Sequence, residues 1–352
     1  MSGLLDDILA EAGELDAIAF RLCGEKRALV ERAASVLRGA PEVVVVGIGS
    51  SWNAGLAVST RLRRCGVPAF PADASELLHF GSLRPGAAVL VLSRSGRSVE
   101  VVRLLERCAA VDAPILAVTN TPDSPLGRLA AVTLDLEARF DRLVSVTMYS
   151  GLAVAGGLLA EAAGGAGLED LGRALRESLK EAGALVPEWG RRLEGSPWLD
   201  PAATPYFLAR GESVASAQEA RLLWEEVAKR PAAALSTGAF RHGSQEIVRP
   251  GSRVALWLDA ERLRAEDLTL ARELRGAGAL VALVGRDLPD DAADLALPVP
   301  ATPPGWAFAV DIVPMQLAAE ALARRAGEDP DAFRYCPYVV SAEGGLTGGT
   351  CA

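Results

Sequence analysis

Val89-Leu90-Val91-Leu92-Ser93-Arg94-Ser95-Gly96-Arg97-Ser98-Val99-Glu100 is the stretch on which the reading of this 352-residue sequence turns. Val89 to Leu92 form a short apolar run of the kind found in a buried strand, and Val99 to Leu105 begin a helical period. Between them lies a tight turn with three serines around Gly96. A strand, a Ser/Gly turn and a helix start aim unpaired backbone N–H groups at one spot, where the helix dipole favours an anion. Ser93, Ser95 and Ser98 add hydroxyl donors; Arg94 and Arg97 add charge or face water. An ordinary N-capped helix explains one hydroxyl, not three.

Working outward, the same alternation recurs. Leu4 to Leu37 predicts two amphipathic helices. Glu42–Val46 predicts a strand running into Gly47-Ile48-Gly49-Ser50-Ser51-Trp52, followed by a helix over Asn53–Arg64 and a strand over Val67–Phe70. Ile115–Thr119 and Val132–Leu136 are further strands. The uncharged run Val144 to Ala160 predicts a buried helix, because its Ser, Thr, Tyr and glycines suit a membrane span poorly. Alternating strands and helices imply a parallel sheet covered on both faces.

The second half repeats the scheme: strand Tyr206–Ala209, the turn Arg210-Gly211-Glu212-Ser213, helix Val214–Lys229, a helix stop at Pro231–Ala234, then strands Val254–Leu258, Leu280–Val284 and Leu295–Val299. Pro298 assigns the last of these to an edge. Gly49 to His79 spans 30 positions and Gly211 to His242 spans 31; Ser93 to Thr119 and Asp259 to Gly285 both span 26. Matched order with matched spacing predicts two copies of one α/β unit. Their turns differ: Asp259-Ala260-Glu261-Arg262 stands where the first copy has Ser93-Arg94-Ser95-Gly96. Acidic side chains repel an anion, so the first copy alone is expected to bind one. Helix Ile312–Arg325 leads to a tail rich in turn residues. The expected divisions are N-terminal helices at 1–40, a first domain at 41–168, a helical linker at 169–202, a second domain at 203–326 and the tail at 327–352.

Composition narrows the function. The net charge of −9 argues against nucleic acid, whose phosphates require a basic surface. Five cysteines without a C-x-x-C pair, and two histidines, His79 and His242, argue against a disulfide framework or a zinc site. The N-terminus is acidic and helical, unlike a signal peptide, and the expectation is a cytoplasmic protein with no membrane partner. Gly47-Ile48-Gly49 after a strand, with Asp73 near the end of the next, resembles half of a dinucleotide fingerprint. Trp52 occupies the place of its third glycine and blocks the close helix packing which that glycine permits. No G-K-[ST] loop is present.

Two acid/base candidates lie in the second half. Glu219, Leu222, Leu223 and Glu226 fall on one helical face, while Glu225 lies roughly 100° away and is expected to be solvated. Carboxylates on an apolar stripe need a reason: either Glu219 pairs with an arginine at a domain contact, or Glu226 is a general base. Spacing leaves both open. His242, in the loop Gly238-Ala239-Phe240-Arg241-His242-Gly243, suits acid/base or ligand duty, or a structural cap.

Gly49-Ser50-Ser51, Ala74-Ser75-Glu76, Ser93-Arg94-Ser95-Gly96-Arg97-Ser98, Ser145-Val146-Thr147, Gln218-Glu219-Ala220 with Glu226, and Arg241-His242-Gly243 together resemble the sugar isomerase (SIS) domain family. From about Glu42 to Val340 the chain is similar to the isomerase half of glutamine–fructose-6-phosphate aminotransferases and to stand-alone phosphosugar isomerases and deaminases. The resemblance implies an α/β fold of two tandem doubly wound parallel-sheet domains, each a flavodoxin-like three-layer sandwich. It implies a homodimer with shared active sites, a sugar phosphate as substrate, and neither cofactor nor metal. Carried over position by position, Ser51, Ser93, Arg94, Ser95 and Ser98 bind phosphate, Ser145 lies at the sugar, Glu226 shuttles a proton, and His242 of a neighbouring subunit opens the ring.

The chain departs from the family in ways that restrict its chemistry. No glutaminase domain or N-terminal Cys nucleophile is expected, so glutamine-dependent transfer is not. The lysine that aminotransferases carry on the glutamate's helix falls at Leu223, and their C-terminal lysine falls near Tyr338. Lys26, Lys180 and Lys229 are the only lysines. Of these Lys229 alone is near, and it is expected to be exposed, so no Schiff base from the tail is expected. Whether Tyr338 or Lys229 takes over a lysine's role stays open, as do the roles of Glu219 and His79. The expectation is C1/C2 proton transfer on an open-chain hexose or amino-hexose 6-phosphate, as isomerisation or deamination. A non-catalytic sugar-phosphate sensor and an isomerase of a 6-sulfonated sugar are the alternatives.

Overall fold

The computed structural model describes residues 2–345, so Cys351 and the end of the tail lie outside the described residues. The chain forms two compact units: residues 14–176 with the tail from Phe333, and residues 177–332 with those before Glu14.

The N-terminal pair is α1 (Gly3–Cys23) and α2 (Arg27–Gly39). In the first unit there follow β1 (Val43–Gly47), α3 (Ser50–Arg64), β2 (Ala69–Asp73), α4 (Ala74–His79), β3 (Ala88–Ser93), α5 (Val99–Ala110), β4 (Ile115–Thr119), α6 (Pro125–Leu129), β5 (Val132–Asp135) and α7 (Thr147–Ala163). The sheet is parallel throughout, in the order β2-β1-β3-β4-β5. Because both faces are covered, its central strands are apolar up to their carboxyl-terminal residues, where β3 ends in Ser93 and β4 in Thr119. Val44, Val46, Val89, Val91, Ile115 and Ala117 point to one face and pack with Leu77 of α4, the Val101–Cys108 stripe of α5 and Leu126 of α6. Val45 and Leu92 point to the other, against Gly55 of α3.

Every residue of α7 is buried, as the uncharged run predicts. Its contact with α3 is close enough that a Cβ on Gly156 would stand 2.4 Å from Val58. The charge of Glu161 within it is matched by the buried guanidinium of Arg61, whose Nε donates to Glu161 Oε1 at 2.7 Å. The second strand differs from expectation. It lies at Ala69–Asp73, not Val67–Phe70, and runs through Pro71, which an edge strand tolerates because one side of its ladder is unpaired.

Helix α8 (Leu168–Leu193) precedes the second unit's sheet. Its elements are β6 (Pro205–Ala209), α9 (Val214–Glu226), β7 (Ala233–Ser236), α10 (Thr237–Phe240), β8 (Arg253–Trp257), α11 (Arg264–Gly276), β9 (Leu280–Gly285), β10 (Leu295–Pro298) and α12 (Val313–Ala326). The order β10-β9-β8-β6-β7 is again parallel and, counted from its own first strand, is the order of the first sheet. β10 is an edge, as Pro298 requires. The expected helix stop at Pro231–Ala234 is instead the approach to edge strand β7, and α9 ends three residues early, at Glu226. One face carries Leu208, Val254, Leu256, Val281 and Leu283 under Leu270 and Leu274 of α11. In the core, Phe207 meets Trp224 and Trp257 edge-on, with centroids 5.1 and 6.1 Å apart.

Candidate functional site

In a doubly wound sheet, ligands bind beyond the carboxyl ends of the strands, where the strand order reverses direction. In the first sheet that point lies between the neighbours β1 and β3. The turns leaving these two strands hold Ser51 and the Ser93–Ser98 cluster, so the fold brings both to one crevice. Gly47 makes the first turn possible: a Cβ there would lie 2.4 Å from the backbone of Ser51. Gly96, at φ +58°, makes the second, since a Cβ would lie 2.1 Å from Ser124 Oγ.

The helix N-termini on this edge separate into two kinds. Asp73, which stands near the expected acidic position of a dinucleotide site, caps α4 by accepting from the amides of Ser75 at 2.8 Å and Glu76 at 3.3 Å. Ser124 caps α6. The buried carboxylate of Asp141 accepts from the amides of Val146, Thr147 and Met148 at 2.9–3.0 Å and closes α7. By contrast α3 and α5, the two helices at the switch point, have no side-chain cap. The Val99 amide that opens α5 donates to Val340 O at 3.1 Å and the Ser51 amide of α3 to Ile48 O at 3.2 Å, but no side chain meets either helix dipole.

The hydroxyls are not equivalent. Ser93, at the end of β3, is buried, and its Oγ accepts from the Gly96 amide at 3.0 Å. Ser95 Oγ accepts from the Arg97 amide at 3.3 Å. Both shape the turn and keep their protons to donate outward. Ser98 stands at the N-cap of α5 and makes no cap bond. Ser51 is half-buried in the first turn of α3, and Ser145 is half-buried just ahead of α7. Arg94 is committed to the protein: it donates to Tyr338 O at 2.7 Å and to Leu143 O at 3.3 Å. Arg97 is exposed.

In the second sheet the switch point lies between β6 and β8. Asp259, after β8, turns its carboxylate back onto the chain and accepts from the amides of Glu261 at 3.0 Å, Arg262 at 3.2 Å and Leu263 at 2.9 Å. Arg210, after β6, donates from Nε to the fully buried Asp267 at 2.8 Å. Burial pushes the Asp267 carboxyl up, and the Arg210 bond opposes that. The turn holds an anion of its own.

Elsewhere in this unit Glu226 ends α9 half-buried, whereas Glu225 is exposed beside Arg221, as the helical spacing predicts. Glu219 is fully buried. His242 is exposed in the turn after α10. Lys229, expected to be exposed, is half-buried and donates to Val227 O, Asp329 O and Ala332 O at 2.8–3.1 Å, so its ammonium is a structural clip. Sequence reasoning missed Asp311, a buried carboxylate that accepts from Ser213 Oγ at 2.6 Å and from Ser216 Oγ. Burial pushes it up to about 6, and the two hydroxyls restrain the rise.

Burial also pushes the thiols of Cys23, Cys65 and Cys108 up to about 11, which leaves little thiolate for nucleophilic work. Among the described residues no three His, Cys, Asp or Glu side chains gather as a metal site requires, and no helix is long and apolar enough to cross a membrane.

Comparison with known proteins agrees with this geometry. Residues 36–154 match the SIS domain family model. The glutamine–fructose-6-phosphate aminotransferase of Pyrobaculum aerophilum is 27% identical over 340 residues, which is 93% of this chain and 56% of that protein. The chain thus spans about half the length of the curated relatives it matches. Among solved structures, the C-terminal domain of the Francisella tularensis glucosamine-fructose-6-phosphate aminotransferase superimposes with a TM-score of 0.82 at 18% identity, covering 94% of this chain and 98% of that one. The Thermotoga maritima glucosamine-6-phosphate deaminase also gives 0.82, at 20% identity and 96% and 99% coverage. Residues 36–154, which hold the switch-point turns of the first sheet, thus match a SIS domain, and the likeness of fold to the two solved structures extends over both sheets.

Proposed function

We propose that this chain is a phosphosugar isomerase or amino-sugar-phosphate deaminase, acting on an open-chain hexose or amino-hexose 6-phosphate. The observation that carries the reading is the pair of helices without a side-chain cap, α3 and α5, at the switch point of the first sheet, with Ser51, Ser93, Ser95 and Ser98 around them. The neighbouring helices α4, α6 and α7 have side-chain caps. A phosphate fits that pattern, since it accepts from amides and hydroxyls and complements both dipoles. The aminotransferase and deaminase names of the relatives point to the same class of substrate.

The acid/base role falls to Glu226, at the end of α9 with its carboxylate half-buried. It takes the proton from C2 of an aldose and returns it to C1, through an enediol, while the hydroxyl proton moves from O2 to O1. Nothing enters or leaves in the isomerisation. With a 2-amino sugar the same step gives an enolamine and then a C2 imine, and one water releases ammonia. His242 of a second copy opens the ring, and its exposure in a single chain suits a residue that serves a partner.

The test is a screen of hexose and 2-amino-hexose 6-phosphates for ketose formation and ammonia release, with wild type and Glu226→Gln side by side. Wild type should turn over one of them. The variant should lose roughly 10²–10⁴ in kcat, as removal of a general base does, with little change in substrate affinity. Full activity in Glu226→Gln with loss in Glu225→Gln moves the base one residue. Saturable binding without turnover across the screen makes the chain a sensor.

A further inference from the structure

We propose that Arg94 is a positioning residue, which fastens the 338–343 segment of the tail across the serine turn, and not a ligand of the anion. For the identity of the anion, the proposal rests on the phosphosugar function proposed for this chain. The guanidinium is occupied on its edge and on its face. Nη2 donates to Tyr338 O at 2.7 Å, Nη1 donates to Leu143 O at 3.3 Å, and Cζ lies 3.9 Å from the centroid of the Tyr338 ring. A planar cation is suited to this combination of fork and stack; a lysine ammonium is not.

Two further points hold the same segment. Val340 O accepts from the amide of Val99, the first residue of α5, at 3.1 Å. Glu343 accepts from Arg103 Nη1 at 2.7 Å and faces His79 Nε2 at 3.1 Å. Arg103 lies one helical turn beyond Val99, so the segment runs along α5 from its N-terminus. This gives His79, outside the phosphate-binding set, a place in the fold. It also removes one amide from those available to a ligand, which leaves the anion the serine hydroxyls and the amides around them. A segment closed here excludes water beside the turn and strengthens every charged contact the turn makes.

The experiment reads the Val99 amide by hydrogen exchange in phosphate-free protein, then titrates inorganic phosphate. Arg94→Ala, Arg94→Lys and Tyr338→Ala should each lower Val99 protection by about tenfold or more, because the local opening no longer breaks the clasp. The Arg94→Ala/Tyr338→Ala double variant should lose no more than the worse single one, as partners in one contact do. Phosphate affinity should fall together in all of them. If Arg94→Ala weakens phosphate while Val99 protection is unchanged, or if Arg94→Lys behaves as wild type, Arg94 is a ligand and the proposal is wrong. If protection falls and phosphate binding is unchanged, the clasp stands and the phosphate reading of the turn is what fails. Tyr338→Ala leaves the strand-to-helix turn intact and serves should Arg94→Ala not fold.

Discussion

Ser98 offers the sharpest test of the anion site, because it occupies a capping position without capping. An N-cap serine replaced by alanine ordinarily costs about 1 kcal/mol, the value of its bond to the helix's first amides. Ser98 makes no such bond. Ser98→Ala should therefore leave the stability of the ligand-free protein within about 0.5 kcal/mol of wild type, as an ordinary surface change does. On the proposed function its hydroxyl serves the anion, and a hydrogen bond to a charged partner contributes about 1.5–3 kcal/mol. Since each 1.4 kcal/mol is a factor of ten, the Kd for inorganic phosphate should rise about 10- to 150-fold. Ser93→Ala is the contrast. Its Oγ accepts from the amide of Gly96, a buried residue, so the variant should lose about 1–3 kcal/mol of stability even without ligand, in addition to affinity. Calorimetric titration with phosphate, alongside urea melts with and without it, separates the two effects. The reasoning is refuted if Ser98→Ala binds phosphate as wild type does, or if it loses a full cap's worth of stability in the ligand-free state.

If His242 serves a partner's site, mixing inactive Glu226→Gln and His242→Asn subunits should restore activity, because hybrid dimers contain one intact site; no recovery after demonstrated subunit exchange counts against sharing. Asp311 titrates near 6 when folded against 3.8 in the free residue, so its contribution is complete below pH 4 and is lost as pH rises through 6. Asp311→Asn removes that slope, and between pH 5 and 7.5 its stability should gain about 1–2 kcal/mol on wild type in denaturant melts, where parallel profiles would disprove the assignment. Asp259→Ala frees the three amides that its carboxylate holds and should lower stability by about 1–3 kcal/mol; unchanged melts would mean that water replaces the carboxylate without loss.

What was legible in the sequence was what neighbouring residues decide. β4 lies at Ile115–Thr119, as expected, because Ile115 to Val118 form one unbroken apolar run in a strand buried on both faces. The turn after β3 is visible because three serines and a glycine have little other reason to stand together between a strand and a helix. Edge strands hide: β7 is Ala-Ala-Leu-Ser, half-exposed and two residues after a proline, and nothing local marks it. β2 slides across Pro71 for the same reason. Asp141 caps α7 from six residues before its first helical residue, beyond the spacing of a capping box, so the helix start carries no local signature. The destination of Arg94 is least legible of all. Its acceptor, Tyr338, is 244 positions away, and only the folded chain shows that this arginine is engaged.

The two switch points show one backbone plan under opposite electrostatics. Each places a turn with inward amides beside a strand pair in the same order, and each needs negative charge to complement those amides. After β8 the charge is covalently supplied. Asp259 sits within four residues of every amide it accepts from, so its carboxylate reaches them without an association step. The nearby cation is taken as well, since Arg210 is held by Asp267. After β3 the sequence offers Ser, Arg, Ser and Gly instead, and no carboxylate. The serines shape the turn through their oxygens and still carry protons to donate. A turn that completes itself has no use for a ligand; one built from donors alone remains incomplete until an anion arrives. On the proposed function, that difference, and not any difference in fold, assigns the phosphate to the first sheet.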